Sequence, residues 1–316
     1  MHPAPDSPVI RAFIEKKNLL ELGDPRHKDI PTAIVESGGC MSGVFGGGSS
    51  VGFQTAGHTN TADVLILSSA GVLNKLYMLA EQAELGVSIY YEDLIDGKFI
   101  SRWRLNKMID IDYLIEDRVR RVKTLDVPKI RRARSHIFAA LIRVKNGHGV
   151  LMRVNDADDV ITVAKAGVAI PGGYNQPVLI DGEYYMDGTF ACPIPIREAV
   201  HYGAKNILVV LNKPFGLRPE TLPFHQRALG ALLMRNHSPE FRRTCYAYLK
   251  VYNDSIRFIE RGLRGEIEGV NIGVIAPDSA TVDNLCQDPI LLKDKAREGV
   301  RETLLSFGIT EVPALL

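Results

Sequence analysis

Short apolar runs alternate with longer, helix-like stretches along most of the chain. Continuous apolar segments such as 32–36 and 62–67 are typical of strands buried on both faces. Strands are predicted at 32–36, 62–67, 136–144, 149–154, 177–186, 206–212 and 271–276. Helices are predicted at 71–83, 107–122, 156–166, 195–202, 221–235, 239–263 and 291–307. This alternation predicts an α/β fold with three layers, α/β/α, around a central and mostly parallel sheet.

The domain organisation is inferred from the length of the chain and from its turn-forming residues. The chain has 316 residues, enough for one compact α/β domain with a well-buried core. Residues 1–30 are interpreted as a lead-in with a short helix, residues 31–308 as a single domain, and residues 309–316 as a C-terminal tail. We find no internal repeat and no break in composition that indicates a second domain.

Two segments allow more than one interpretation. Six glycines lie between Gly43 and Gly57, and each costs on the order of 1 kcal/mol inside a helix relative to alanine. The segment is therefore either a small-residue helix pressed against the sheet, which we favour, or a mobile loop. The stretch 118–134 carries eight basic residues and one acid, Asp126. We favour a solvated basic face over a phosphate-binding surface, because no aromatic residues are interleaved with the charges.

Composition restricts the class of protein. Apolar residues make up 46% of the chain, charged residues 24%, and the net charge is +1, so no strong field favours nucleic acid. The four cysteines lie far apart and form no metal-binding pattern, as expected for reduced thiols in a cytoplasmic protein. The first residues lack a basic, apolar leader, and no apolar run is long enough to span a bilayer. We therefore expect a cytoplasmic protein.

Ser69 is the first candidate for chemistry. The strand at 62–67 runs into Ser68-Ser69-Ala70-Gly71 and then into a predicted helix. A sharp turn between strand and helix lifts a serine hydroxyl above the sheet, which is how many hydrolases present a nucleophile. The small residues after Ser69 match this arrangement, whereas Leu67 stands where a glycine is usual. A lone Ser-x-Gly also arises by chance.

Two further segments carry candidate residues. The strand at 32–36 opens into Ser37-Gly38-Gly39-Cys40, where successive N–H groups can bind a phosphate or an oxyanion, unless this is a plain tight turn. A hairpin turning at Asp181-Gly182 delivers Asp187-Gly188-Thr189. An aspartate beside a glycine is commonly a turn residue or a cap. From the residues alone, both interpretations of each segment stay open.

Together and in this order, the three segments resemble the patatin-like phospholipase family, particularly its bacterial members. The matching stretches are Gly38-Gly39-Cys40-Met41-Ser42-Gly43, Leu67-Ser68-Ser69-Ala70-Gly71 and Asp187-Gly188-Thr189. The segments 164–171, 187–210 and 252–277 are also similar to the family, so that the resemblance covers roughly residues 30–308. It implies a Ser69–Asp187 dyad without a histidine, and an oxyanion hole formed by the N–H groups of Gly38, Gly39 and Cys40.

The resemblance implies a serine hydrolase that cleaves acyl ester lipids or phospholipids without metal or organic cofactor. Peripheral contact with a membrane is expected, and nucleic acid is not. Ser42 replaces the arginine or lysine that the family carries in its glycine loop, and Cys40 replaces a glycine. A catalytically weak or inactive relative that binds lipid is therefore the alternative hypothesis. A third hypothesis, a nucleotide-binding protein using residues 38–43, lacks the expected glycine and lysine pattern.

Overall fold

The sheet and its order define the architecture. The computed structural model describes residues 1–101, 103–104, 107–218, 221, 232, 234–278 and 282–311. Its strands are β1 (Thr32–Glu36), β2 (Val64–Leu67), β3 (His136–Arg143), β4 (Gly149–Arg153), β5 (Val178–Ile180), β6 (Glu183–Asp187), β7 (Asn206–Val210) and β8 (Asn271–Ile275). These described strands form one sheet in the order β5-β6-β3-β2-β1-β7-β8, and β4 also pairs with β3.

The central strands are parallel, and their carboxyl ends meet at one edge of the sheet. β3, β2, β1, β7 and β8 are parallel neighbours, whereas β4, β5 and β6 are antiparallel. Glu36 at the end of β1 is in register with Leu67 of β2 and Val210 of β7. The loops that follow these three strands therefore begin side by side.

Helices cover both faces of the sheet, which confirms the predicted α/β/α class. They are α1 (Pro8–Glu21), α2 (Val44–Thr55), α3 (Ala70–Leu79), α4 (Ala83–Ser88), α5 (Val127–Arg132), α6 (Val160–Val168), α7 (Ile196–His201), α8 (Pro239–Tyr246), α9 (Tyr248–Leu263) and α10 (Pro289–Ser306). Ile34 of β1 faces α1, α2, α3, α6 and α10. Ala33 and Val35 face α7 and α9. None of the described helices is both long and apolar enough to cross a membrane.

The glycine-rich segment forms the buried helix α2, as favoured from the sequence. A Cβ at Gly48 would collide with the carbonyl oxygen of Ala296 in α10, and one at Gly52 would lie 2.7 Å from Cβ of Thr303. Thr303 also donates a hydrogen bond of 2.8 Å to Ser49. The glycines are required because α2 and α10 lie almost backbone to backbone.

Several predicted elements are divided in the structure. The strand predicted at 177–186 is the hairpin β5–β6, because Asp181 and Gly182 both adopt positive φ, 49° and 79°. The helix predicted at 71–83 is α3 followed by α4, and the one at 239–263 is α8 followed by α9.

Other predicted boundaries shift. The helix predicted at 107–122 is a π-helix confined to Tyr113–Val122. The one predicted at 156–166 begins at Val160, because the side chain of Asp159 caps it by accepting from the N–H groups of Ile161 and Thr162. The helix predicted at 221–235 lies almost wholly outside the described residues.

Six of the eight basic residues in the stretch 118–134 form ion pairs with acidic side chains. Arg120 binds Asp159, Lys123 binds Glu92 and Asp93, and Arg134 binds Asp63. Arg118, Arg121 and Lys129 form ion pairs as well. Most of the charges therefore join parts of the fold, whereas Arg131 donates to the backbone carbonyl of Asp158 and has no acidic partner among the described residues.

Candidate active site

Ser69 occupies a strained turn between β2 and α3. Its φ is 52° and its ψ is −125°, a conformation that costs a non-glycine residue on the order of 1–3 kcal/mol. The N–H of Val72 donates to the carbonyl of Ser69 at 2.9 Å, so the helix begins directly after the turn. Leu67, the residue in place of the usual glycine, is fully buried in the core. Strain of this kind is frequent where a side chain must be presented to a ligand.

Asp187 ends β6 and is completely buried. Its Oδ1 accepts a hydrogen bond of 2.8 Å from the N–H of Thr189, and its own N–H donates to the carbonyl of Ala169. Its Oδ2 is also buried and has no hydrogen-bond partner among the described residues. The backbone therefore holds Oδ1 in place, and Oδ2 is left to accept a hydrogen bond or a proton.

The fold brings Ser69 and Asp187 together although 118 positions separate them in the chain. Burial raises the pKa of Asp187 to about 7, while the hydroxyl of Ser69 and the N–H of Thr189 lower it. The hydroxyl is thus close enough to act on the carboxylate. No hydrogen bond of ordinary length and angle joins the two side chains, since Oδ2 has no partner within the described chain.

The glycine loop after β1 lies directly against Ser69. A Cβ at Gly38 would lie 2.8 Å from Cβ of Ser69 and 2.8 Å from Oγ1 of Thr189, so no larger residue fits there. The N–H groups of Gly38, Gly39 and Cys40 donate to no described residue. The predicted loop and the two predicted dyad residues therefore form one cluster.

Cys40 has an unusual backbone conformation for a residue other than glycine. Its φ is 48°, in the left-handed region that favours glycine. Burial raises the pKa of its thiol to about 12, and the Asp187 carboxylate adds to this. Cys40 is therefore a neutral thiol, and its unusual backbone keeps its N–H free.

Asn212 anchors the loop, and sequence reasoning missed it. Its side-chain amide donates to the carbonyl of Ser37 at 2.7 Å and accepts from the N–H of Gly46 at 2.9 Å. On the other side of the loop, Ser42 donates to the carbonyl of Gly39 at 2.8 Å. Ser42 therefore braces the loop at the position where the family carries a cation. The available signal was that Asn212 is the first polar residue after the strand β7, at the edge where the site lies.

A buried ion pair lies beneath the site and was also missed. Nζ of Lys75 lies 2.7 Å from Oε2 of Glu36, and both side chains are fully buried. Asn74 donates to Oε1 of Glu36 at 2.7 Å, and Lys75 donates to Ser50 at 2.8 Å. Burial lowers the pKa of Lys75, and the Glu36 carboxylate opposes this effect. The pair ties β1, α2 and α3 together under the Ser69 turn.

Ser69 and Cys40 open into an apolar cavity. It encloses about 600 Å³ of space between atoms, part of it open to solvent. Most of the apolar residues around it come from α3 and from the segment 86–114, and they include Leu73, Tyr77, Ile89, Leu94, Phe99, Ile109, Ile111 and Leu114. A cavity with this lining suits a hydrocarbon chain next to the serine.

Histidine takes no part in this cluster as far as the structure describes it. No described histidine forms a hydrogen bond with Ser69 or Asp187. His58 stacks on Phe307 with ring centroids 4.0 Å apart, and burial lowers its pKa to about 4. We therefore assign His58 a role in packing the core.

The chain is similar in sequence to known proteins. The family model for patatin-like phospholipase matches residues 34–200, a range that contains the glycine loop, Ser69 and Asp187. The chain is 25% identical over 234 residues to the uncharacterized protein YjjU of Escherichia coli (strain K12), an alignment that covers 66% of this chain and 62% of that protein. The chain thus spans less than two thirds of that relative's length.

A solved structure shows the same fold. VipD from Legionella pneumophila matches 87% of this chain with a TM-score of 0.51, at 12% identity and over 66% of its own length. An identity this low supports a common fold and nothing more specific.

Proposed function

Because this chain belongs to the patatin-like phospholipase family, we propose that it is a serine hydrolase that cleaves acyl esters of lipids. One observation carries the proposal. Ser69 stands in a strained turn against the buried carboxylate of Asp187, at the mouth of an apolar cavity. A fixed hydroxyl, a nearby base and a space for a hydrocarbon chain are what this reaction requires.

In the proposed reaction, Oγ of Ser69 attacks the ester carbonyl while Oδ2 of Asp187 takes the hydroxyl proton. The protonated carboxyl then gives this proton to the departing alcohol, and an acyl group remains on Ser69. Asp187 then takes a proton from a water molecule that attacks the acyl group, the bond to Oγ of Ser69 breaks, and the proton passes to Oγ as the acid leaves. A carboxyl with a pKa of about 7 is well matched to accepting and returning a proton near neutral pH.

The N–H groups of Gly38, Gly39 and Cys40 are the proposed donors to the oxyanion. Their lack of other partners in the described chain supports this role. Losing one such donor typically costs about 3 kcal/mol of transition-state stabilisation. The N-terminus of α3, which begins next to Ser69 at Ala70, adds favourable potential for a negative oxygen.

The cavity supports a substrate whose acyl group is a long hydrocarbon chain. Its lining is almost wholly apolar, so a hydrocarbon chain loses contact with water there and a polar group does not gain a partner. The cysteines are unpaired, which supports the expected reducing, cytoplasmic setting. No cofactor enters the proposed reaction.

A second candidate function is lipid binding without turnover. It is favoured by the absence of a hydrogen bond of ordinary geometry between Ser69 and Oδ2 of Asp187. In that case the cavity holds a lipid chain, and the serine never reacts.

Labelling by a fluorophosphonate probe and turnover of esters of increasing acyl length distinguish the two functions. The hydrolase predicts an adduct on Ser69 and turnover that disappears in Ser69→Ala and Asp187→Asn. The matched control is Ser68→Ala, which removes the neighbouring buried hydroxyl and should leave labelling of Ser69 intact. Retained binding of a long-chain fatty acid, with no adduct and no turnover, would instead establish the binding function.

A further inference from the structure

One face of α3 forms a side wall of the cavity. The lining residues on it are Ser69, at the N-cap, and Ala70, Leu73, Asn74 and Tyr77. Residues spaced by three and four positions lie on the same face of a helix, so the cavity follows α3 from the serine to the tyrosine. Eight positions separate Ser69 from Tyr77. Because a helix rises about 1.5 Å per residue, this face is about 12 Å long.

Tyr77 closes the far end of the cavity. It is the last residue of α3 in the lining and is almost completely buried. Its ring packs against the backbone of α4, since a Cβ at Gly86 would lie 2.5 Å from Cγ of Tyr77. Its hydroxyl donates a hydrogen bond to the carbonyl of Lys123. The ring therefore cannot swing aside to lengthen the cavity without breaking this hydrogen bond.

Charged side chains lie beyond the ring of Tyr77. Nζ of Lys123 lies 2.6 Å from the carboxylate of Glu92 and 2.8 Å from that of Asp93. These three residues are not part of the cavity lining. Burial raises the pKa of Tyr77, and the Asp93 carboxylate adds to this because it lies close to the hydroxyl. A hydrocarbon chain that passed the ring would separate charged groups from their partners, which is unfavourable.

The length of this face determines how many carbon atoms fit. An extended chain of single bonds advances about 1.2 Å per bond, as the polypeptide backbone does with three bonds in about 3.6 Å. A carbonyl carbon next to Oγ of Ser69 therefore leaves room for about ten further bonds before the terminal methyl group meets the ring of Tyr77. Leu73 lies half way along such a chain.

We propose that Tyr77 is a specificity-determining residue, whose ring forms an end wall that limits the acyl chain of the substrate to about ten to twelve carbon atoms. Shorter chains leave part of the apolar wall without a contact. Longer chains cannot lie extended in the cavity, so their last carbon atoms gain nothing from it. The inference rests on the proposed function, but chain length is also measured by binding without turnover, so the two can fail separately.

Turnover of p-nitrophenyl esters from butanoate to hexadecanoate measures the limit, at concentrations below those at which the esters form micelles. In the unsubstituted protein, kcat/KM should rise by up to about fourfold for each CH₂ group added. The rise should end at decanoate or dodecanoate, and hexadecanoate should react more slowly than either.

Two substitutions should move the preferred length in opposite directions. Tyr77→Leu removes the end wall, so hexadecanoate should gain at least about tenfold relative to octanoate. Leu73→Phe places a ring about 6 Å along the helix from Ser69, so the preferred ester should become hexanoate. Tyr77→Phe is the matched control, because it keeps the ring and removes only the hydroxyl that binds the carbonyl of Lys123. Its preferred length should not change.

Binding is compared with saturated fatty-acid methyl esters of the same lengths and the Ser69→Ala protein, which cannot form the acyl intermediate. Displacement of the fluorescent dye anilinonaphthalene sulfonate reports that the cavity is filled. Affinity should rise up to decanoate or dodecanoate and no further. Adding Tyr77→Leu to Ser69→Ala should extend the rise to longer esters.

The proposal is overturned if the preferred length is the same in Leu73→Phe, in Tyr77→Phe and in the unsubstituted protein, a comparison that decides the matter even if Tyr77→Leu does not fold. It is also overturned if turnover depends on the length of the alcohol and not on that of the acyl chain. A length limit in binding, together with a complete lack of turnover, leaves the end wall standing and removes the hydrolase function. Turnover that is independent of acyl length does the reverse.

Discussion

Replacing Asp187 by asparagine should stabilise the folded protein at neutral and alkaline pH while abolishing turnover. Burial raises the pKa of this carboxyl to about 7, from an ordinary value of 3.8. Between these two values the folded state retains a proton that the unfolded state has released. Stability is therefore lost as the pH rises from about 4 to about 7, and is not recovered above it. Asparagine stays neutral throughout and avoids this loss.

The magnitude follows from the difference between the two pKa values. At 1.36 kcal/mol for each pKa unit, the carboxylate costs the folded state about 2 kcal/mol at pH 5 and about 4 kcal/mol at pH 8. The gain from Asp187→Asn should therefore grow by about 2 kcal/mol between these conditions. Asparagine also keeps an oxygen that can accept from the N–H of Thr189, so that the fixed side of the carboxyl is preserved.

Urea denaturation followed by far-UV circular dichroism, at both pH values, measures this gain. Ser69→Ala is the matched control, since it removes the partner hydroxyl without changing the number of ionisable groups. A constant difference between the unsubstituted protein and Asp187→Asn across pH would refute the reasoning, because it would mean that the carboxyl has an ordinary pKa in the fold. The same titration predicts that ester turnover rises with pH around an apparent pKa near 7.

Three further changes test the surrounding structure. Lys75→Met leaves the Glu36 carboxylate buried and unpaired and should cost about 3–5 kcal/mol of stability in urea. Adding Glu36→Gln to this variant should recover a large part of the loss. If the losses of stability in the two single variants simply add in the double variant, the two side chains do not interact as a buried pair. Gly38→Ala pushes a methyl group against Ser69, so turnover should fall by roughly 10²-fold or more, and unchanged turnover would argue against the proposed oxyanion loop. Cys40→Gly relieves a residue held at a φ of 48° and should raise the melting temperature or leave it unchanged, with labelling of Ser69 retained; a marked loss of stability would show that the thiol contributes packing that outweighs the strain.

The order of elements and the sites of chemistry could be read from the chain because both are local. Buried strands such as β1 and β7 contain short apolar runs, and glycine or serine after such a run indicates the loop at the end of the strand. Local patterns were less reliable where a helix is interrupted without a glycine or proline. Ala247, which divides α8 from α9, is an ordinary helix former, so propensity offers no signal for that break.

The sequence by itself determined the α/β class, the turn that carries Ser69 and the glycine loop, and the family resemblance pointed to Asp187 as the candidate base. Only the tertiary structure decided that Asp187 is buried beside Ser69, that Asn212 holds the loop and that Lys75 meets Glu36 beneath it. The physical reason is that these contacts join strands and helices distant in the chain, through sheet register and helix packing. Burial, which sets the pKa of Asp187, is likewise a property of the whole fold and not of any local pattern of residues.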